Sequence, residues 1–314
     1  MNDRTDLHTW SISRVEPASS APAERAKDAA LAQSSSPVQA ATATRPAHWQ
    51  IRDIDFDGID FAAARADETL LAIVASASMI ESASDVYTAN LVQYYSADSE
   101  VGDWLSGQWE PEELQHGRVL RTYVERVWPS FDWERAFKSF VDDYSNYCVV
   151  EELGPTPALE MAARCMVETG TATLYRAIHD YAREPVLRDI ARRIGEDEIR
   201  HFKHFYRYFK LYQEREKLNR YKVAKALLAR VAEVRRDDAA CAFRHVFSGR
   251  FPESADDSRR LQSWSENAYR LVKQHYPYPM AAKMLLAPLD LPPRVKPWMA
   301  APLACTVRLI MWGL

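Results

Sequence analysis

The chain has 314 residues, and its 40 lysines and arginines against 44 aspartates and glutamates leave a net charge of −4. This charge balance does not favour nucleic acid or an anionic membrane as a partner of the whole chain, although local basic patches are compatible with it. Apolar residues make up 47% of the chain and charged residues 27%, which is typical of a globular protein, and glycine is scarce. Because apolar positions recur at helical spacing almost throughout, we predict an all-α protein.

The cysteines and the N-terminus bear on the cellular setting. The four cysteines are scattered, without a Cys-x-x-Cys pair, which favours a reducing, cytoplasmic environment. The N-terminus lacks the apolar stretch of a secretory signal, and no run approaches the roughly 18 uninterrupted apolar residues that a spanning helix needs. We therefore expect a soluble, cytoplasmic protein.

Three segments differ in composition. Residues 1–46 are rich in Ala, Ser, Pro and Thr, and we predict a disordered leader because such a segment buries too little surface to offset its ordering entropy. Residues 47–216 hold the strongest helical patterns, and residues 217–314 continue as a helical extension with an apolar tail at 299–314. Three roles remain open for this tail: packing on the body, packing on a second subunit, or lying on a membrane surface.

The apolar spacing predicts successive helices in the middle segment. They run from 61 to about 95, 111 to about 128, 132 to about 147, 158 to about 182 and 185 to about 216, with further helical pattern at 217–246 and 258–275. Pro111 and Pro185 stand in first turns, where proline costs a helix little. Asp132 has the side chain of a helix N-cap.

Two glutamates lie on apolar faces of these predicted helices. Glu81 follows a run of aliphatic residues, and Glu168 shares a helix face with Cys165 and Tyr175. An isolated ionised carboxylate on such a face is costly unless it is paired or bound to metal. Both residues are therefore candidate metal ligands, with a partly exposed position at the edge of the stripe as the alternative for Glu81.

A Glu-x-x-His pair occurs twice, as Glu113 with His116 and as Glu198 with His201. Residues three apart on a helix point the same way, so each pair can approach one metal ion. A motif this short also arises by chance, and the alternative is an ordinary Glu–His contact on a helix surface. The joint pattern favours metal, because each pair lies one helix downstream of an apolar-face glutamate, after gaps of 32 and 30 residues.

The six candidate ligands are four carboxylates and two imidazoles, which suit a pair of iron ions and are also compatible with iron and manganese. Zinc normally takes fewer ligands in a tetrahedron. One glutamate from each of two helices and Glu-x-x-His from each of two others is the pattern of di-iron carboxylate bundles. We therefore predict a ferritin-like four-helix bundle with additional C-terminal helices.

Neighbouring residues are candidates for supporting roles. Asp197 can accept the free N–H of His116 and so fix the orientation of that ring, and Thr171 can present its hydroxyl toward bound O₂. The alternatives are a solvent-facing aspartate and a threonine bonded to its own helix backbone. Glu112 points away from Glu113, toward solvent or a group behind the ligands.

Several stretches resemble the soluble acyl-carrier-protein desaturases. WEPEELQHGRVLRTY, at Trp109–Tyr123, resembles their first motif, EENRHG, and DEIRH, at Asp197–His201, resembles their second, DEKRH. Glu168–Thr171 resembles the family's Glu-x-x-Thr, and Glu81 stands where its first-helix glutamate is expected. The resemblance covers roughly residues 60–215; EELQHG departs from EENRHG, and the chain from Lys217 onward is unlike the desaturases.

This resemblance implies a ferritin-like bundle and a homodimer. Its di-iron centre would be reduced by a donor such as ferredoxin and would activate O₂ against a C–H bond of an acyl chain. The resemblance also implies that Thr171 assists the O₂ chemistry. Electrons would pass through Asp197, His116 and a tryptophan, for which Trp49 is a candidate.

The leading hypothesis is an O₂-dependent di-iron desaturase or oxygenase that acts on a fatty-acyl or other apolar substrate, either free or carrier-bound. The main alternative is a ferritin-like iron-binding protein with storage or ferroxidase activity, which the roughly 100 residues beyond the last ligand disfavour. A third hypothesis, a binding protein with a vestigial metal site, is disfavoured by the complete ligand set.

Overall fold

The computed structural model describes residues 48–146, 148, 150, 153–233 and 239–312. Within these ranges the regular structure is helical, without a strand, and the all-α prediction is confirmed. The predicted leader at 1–46 lies outside the described residues. Residues 48–314 form one compact unit.

The α-helices of the described ranges have the following bounds: α1 Phe61–Arg65, α2 Glu68–Ser82, α3 Ser84–Tyr94, α4 Ser99–Trp104, α5 Glu110–Val127, α6 Trp133–Tyr144, α7 Pro157–Tyr181, α8 Pro185–Glu216, α9 Arg220–Glu233, α10 Ala240–Arg250, α11 Ser258–His275, α12 Tyr278–Leu286 and α13 Lys296–Trp312. A π-helical turn, Leu105–Trp109, joins α4 to α5. Short 3₁₀ helices cover Ile51–Asp53, Phe56–Gly58 and Pro252–Ser254.

The predicted helices after residue 110 match α5, α6, α7, α8 and α11 closely. Asp132 caps α6 as expected, since its carboxylate accepts the backbone N–H of Arg135. In the same way Glu184 caps α8 by accepting the N–H groups of Val186 and Leu187. These caps stabilise helix starts whose backbone N–H groups have no partner within the helix.

The prediction of one helix from 61 to about 95 is wrong, because three helices occupy this stretch. The Asp67 carboxylate accepts the backbone N–H groups of Thr69 and Leu70 and thereby starts α2 after α1 has ended. A second break falls at Ala83, directly after the end of α2. The pattern predicted at 217–246 covers α9 and most of α10, and residues 234–238 of it lie outside the described residues.

The helices that carry the candidate ligands pack in two pairs. α7 lies along α8 and α2 lies along α5, while α5 also meets α8. Around them, α10 and α11 pack on α2, and α9 and α12 pack on α7. α13 packs on α12.

Two apolar clusters lie on either side of the candidate ligands along these helices. One contains the C-terminal halves of α5 and α7 and the N-terminal half of α8, together with α2, α6, α10 and α11. The other contains α3, α4, α9, the N-terminal half of α7 and the C-terminal half of α8. The ligands on α5, α7 and α8 fall between the two clusters in sequence, so the polar centre of the molecule is enclosed by apolar side chains.

In the described part of the chain, no single helix has both the length and the apolar composition needed to cross a membrane. The bent pair α2 and α3 meets those two conditions only when both helices are taken together.

The close approach of α5 to α2 depends on Gly117. A Cβ atom at this position would lie 2.6 Å from the backbone nitrogen of Ser82 and 2.8 Å from its Cα. We expect Gly117→Ala to lower the free energy of unfolding by about 1–3 kcal/mol, because α2 must move away from α5. Urea denaturation measures this change.

The matched control for this prediction is Gly102→Ala. Gly102 also lies in a helix, α4, but a Cβ there meets nothing within 4 Å. Alanine is the better helix former, so we expect this variant to be more stable by about 0.5–1 kcal/mol. Equal effects of the two substitutions would contradict the close approach of the helices.

Candidate metal centre

The structure brings all six predicted ligands together at the middle of the helix pairs. They form two overlapping groups, and within each group one ligand atom from every residue lies within 4.8 Å of the others. The first group is Glu81, Glu113, His116 and Glu198, and the second is Glu113, Glu168, Glu198 and His201. Glu113 and Glu198 belong to both, which is the arrangement expected of two carboxylates that bridge two ions.

All six ligands are deeply buried. Glu81 and Glu113 are each 4% exposed, and the other four are 2% exposed or less. Glu81 is therefore not at an exposed edge of its helix. The π-helical turn at 105–109 directly precedes the α5 ligands, and such turns are frequent at functional sites.

Five ligand atoms are buried without a hydrogen-bond partner among the described residues. They are Glu113 Oε1, His116 Nδ1, Glu168 Oε2, Glu198 Oε1 and His201 Nδ1. His201 Nδ1 lies 2.9 Å from Glu113 Oε1, and His116 Nδ1 lies 3.1 Å from Glu198 Oε1. These pairs are close, yet none of the five atoms makes a hydrogen bond within the described residues.

This donor set fits a pair of divalent ions. A buried polar atom without a partner costs about 1–3 kcal/mol, and a cluster of five is accounted for when the atoms coordinate metal. Four carboxylates also balance the charge of two divalent ions, and imidazole and carboxylate are the donors that iron takes in such sites. The six residues would hold the two ions, with Glu113 and Glu198 between them.

Each histidine is held from behind by a carboxylate. His116 Nε2 donates to Asp197 Oδ2 at 3.0 Å, and His201 Nε2 donates to Glu112 Oε2 at 2.8 Å. Asp197 is 1% exposed, so it is not a solvent-facing aspartate. Such outer hydrogen bonds fix the ring so that Nδ1 faces the centre.

Arg200 and Trp49 extend this outer layer. Arg200 donates to Glu112 at 2.8 Å and also to Asp197, so one guanidinium connects the two supporting carboxylates. The indole N–H of Trp49 donates to Asp197 Oδ2 at 2.8 Å. The Trp49 ring also stacks on His116, with centroids 6.1 Å apart and planes 7° from parallel.

Two hydroxyl groups contact the glutamates directly. Thr171 Oγ1 donates to Glu198 Oε2 at 2.7 Å, although it also lies 3.2 Å from its own helix carbonyl at Glu168. Tyr175 donates to Glu81 Oε1 at 2.5 Å. Sequence reasoning did not assign a role to Tyr175, but its position seven residues after Glu168 placed it on the ligand face of α7.

Burial and mutual repulsion set the protonation of the metal-free centre. Burial, the charge of Glu198 and that of Glu81 raise the pKa of Glu113 well above its usual value. Burial and the charge of Glu198 raise the pKa of Glu168 to about 8, although the nearby His201 ring acts in the opposite direction. Burial also acts on Glu198, but the nearby rings of His116 and His201 outweigh it and lower the pKa of that carboxyl.

The pKa values of the two imidazoles are raised. Burial disfavours the charged ring, but the hydrogen bond to Asp197 and the adjacent Glu198 carboxylate raise the pKa of His116 well above its usual value. The hydrogen bond to Glu112 and the adjacent Glu113 carboxylate do the same for His201. The buried Glu112 has a pKa lowered to about 2, chiefly by its bond to His201. We therefore expect the metal-free centre to hold protons on both rings and on Glu113 and Glu168 at neutral pH.

A further cluster, Asp143, Cys241 and His245, also brings three donor atoms within 4.8 Å of one another. There, however, His245 Nε2 is hydrogen bonded to Asp143 Oδ2 at 3.0 Å. Arg244 Nη2 lies 3.3 Å from that same oxygen and supplies positive charge to it. This cluster is satisfied by its own contacts, which distinguishes it from the centre between α5 and α8.

Comparison with known proteins does not assign the chain to a family. No protein-family model matches it, and no curated protein matches its sequence. The assignment of these residues as a candidate metal centre is therefore supported by their geometry and by the motif residues.

Proposed function

We propose that the protein is an O₂-dependent di-iron oxidoreductase, a desaturase or oxygenase built on a ferritin-like bundle. Its substrate would be a fatty-acyl or other apolar, carrier-bound chain. The observation that carries this proposal is the pair of four-residue clusters that share Glu113 and Glu198 and hold five partnerless buried atoms. The motif resemblance to the acyl-carrier-protein desaturases supports the choice of reaction class.

When bound, a pair of ferrous ions supplies the electrons with which O₂ is activated. The chain's own residues set the conditions for this chemistry. Apolar clusters on both sides exclude water, while Asp197 and Glu112 keep the two rings oriented. The Thr171 hydroxyl lies against Glu198, where it holds a proton at the edge of the centre.

Trp49 supports an electron route into the centre. It is half-buried, and its indole is joined to Asp197 by a hydrogen bond and to His116 by ring stacking. Asp197 in turn is bonded to His116. A donor protein such as ferredoxin would therefore reach the centre through the face that carries Trp49.

The experiment that tests the proposed function starts from protein loaded with ferrous iron without oxygen. We expect O₂ uptake that an acyl-carrier-bound fatty acid accelerates, with a product that mass spectrometry shows to have lost two hydrogens or gained one oxygen. An iron–mineral core on size-exclusion chromatography, with no substrate effect on O₂ uptake, would instead favour iron storage.

Trp49→Phe tests the electron route. Phenylalanine keeps a ring beside His116 but removes the N–H that reaches Asp197. We expect reduction of the oxidised centre by ferredoxin to slow by about tenfold or more, while O₂ uptake by chemically reduced protein is retained. Stopped-flow absorbance measures both rates. As a control, Trp298→Phe changes an exposed tryptophan remote in sequence from the site, and equal slowing in both variants would contradict the route.

A further inference from the structure

The C-terminal segment 291–314 differs in charge from the rest of the chain. It contains the cations Arg294, Lys296 and Arg308 and has no aspartate or glutamate, whereas the whole chain carries a net charge of −4. The segment is therefore a basic region on an acidic protein. Within it, α13 is the regular element.

One face of α13 lies toward the body. Its half-buried positions recur every three or four residues, which is the spacing of a single helix face. They are Ala300, Leu303, Ala304, Val307 and Met311. This face packs on α12 and α11, which accounts for part of the apolar composition of the tail.

The opposite face of α13 is apolar as well, and it is exposed. Trp298 is 82% exposed, Leu309 is 73% exposed and Met299 is 43% exposed. Ala301, Pro302, Cys305, Thr306 and Arg308 are exposed between them, and the threonine hydroxyl donates to the Pro302 carbonyl. The outer face of a surface helix is normally polar, and a contiguous exposed apolar patch marks an interaction site.

We propose that α13 docks the protein on an anionic lipid surface. Interfacial helices combine tryptophan and leucine with lysine or arginine near the polar headgroups, and here Arg308 is exposed on α13 while Arg294 is exposed shortly before it. Trp298 and Leu309 enter the boundary between headgroups and acyl chains, and Arg294 and Arg308 contact lipid phosphates. At 17 residues and about 25 Å, α13 lies in the plane of the surface rather than across it.

The charge pattern favours lipid over symmetric pairing of α13 with a second copy. Two copies of α13 against each other would place their own cations together, with no acidic residue in the segment to balance them. An anionic bilayer supplies both the apolar environment and the opposite charge. This inference does not depend on the proposed function.

Vesicle flotation tests the proposal, with full-length protein and vesicles of either phosphatidylcholine alone or equal parts of phosphatidylcholine and phosphatidylglycerol. We expect the wild type to float with the anionic vesicles only, and less so as salt rises. The double variant Trp298→Ser and Leu309→Ser should bind about tenfold more weakly or worse, because two apolar side chains no longer leave water. Replacing Arg294 and Arg308 with glutamine should also weaken binding by about tenfold or more, because the exposed cations of the segment no longer contact lipid phosphates.

The matched control is Tyr221→Ser with Leu228→Ser. These side chains are 76% and 68% exposed, but they lie on α9, and their loss should leave flotation unchanged. Far-ultraviolet circular dichroism checks that each variant is folded. The proposal is overturned if the wild type does not float with anionic vesicles or if the α13 variant floats equally well. A dimer that forms without vesicles and is dissociated by Trp298→Ser and Leu309→Ser would also overturn it and assign the face to a second copy.

Discussion

Replacing Glu113 with alanine is expected to remove both metal ions, whereas replacing Glu81 with alanine is expected to leave one. Glu113 belongs to both four-residue clusters, while Glu81 belongs to the first alone. Without Glu113, each ion loses a ligand and the pair loses one of the two carboxylates between them. Wild-type protein loaded without oxygen should hold about two irons per chain, and elemental analysis after gel filtration gives the count for each variant.

The control for this series is Glu125→Ala, on the same helix as Glu113. Glu125 pairs with Arg121 at the surface, and its side chain is 45% exposed, so its loss should leave the iron content unchanged. Equal iron content in Glu113→Ala and wild type would show that these residues are not ligands. Loss of all iron in Glu81→Ala would still agree with a metal site at these residues. It would contradict the expectation that each of the two positions is occupied independently.

The grouping of the candidate ligands was predictable from sequence because it depends on local periodicity. A glutamate three residues before a histidine shares its helix face, and an apolar stripe makes an interrupting carboxylate such as Glu168 conspicuous. The starts of α5 and α8 were predictable for the same reason, since proline in the first turn is a local signal. The structure brings together the residues that this reasoning selected.

The supporting contacts were harder to predict because their partners are distant in the chain. Glu112 bonds to His201 across 89 residues, and Trp49 bonds to Asp197 across 148 residues. Helical spacing can show that Glu112 points away from Glu113, but it cannot show which group lies there. Contacts of this kind depend on how helices pack.

The break between α2 and α3 has a similar origin. The apolar pattern continues through Ala83 on both sides, so periodicity alone favours one helix. The start of α2 could have been predicted, because the Asp67 cap is a local signal that is visible in the sequence. The break at Ala83 adjoins Ser82, the residue that Gly117 of α5 approaches closely, and that approach is a tertiary contact.

Metal loading is expected to release about four protons and to strengthen as pH rises. In the metal-free centre, Glu113 and Glu168 have raised pKa values, about 8 for Glu168, and both His116 and His201 also have raised values. All four groups must lose their protons to become ligands. Titration with ferrous iron in weakly buffered, oxygen-free solution counts the protons, and Glu168→Gln should release about one fewer.

The metal-free and metal-loaded forms should respond differently to pH. Protons on the candidate ligands stabilise the metal-free fold but compete with metal binding. A group whose pKa is raised by folding stabilises the protein below its unfolded pKa, and this contribution is lost as pH rises through the folded value. For Glu168 the contribution is lost between the ordinary value of 4.5 and about pH 8, so the melting temperature of metal-free protein should fall as pH rises from mildly acidic to about 8. The melting temperature of metal-loaded protein should rise relative to that of metal-free protein over the same pH range, because fewer protons compete with the ions for the ligands. A melting-temperature difference between the two forms that does not grow with pH would mean that the ions are bound by other groups.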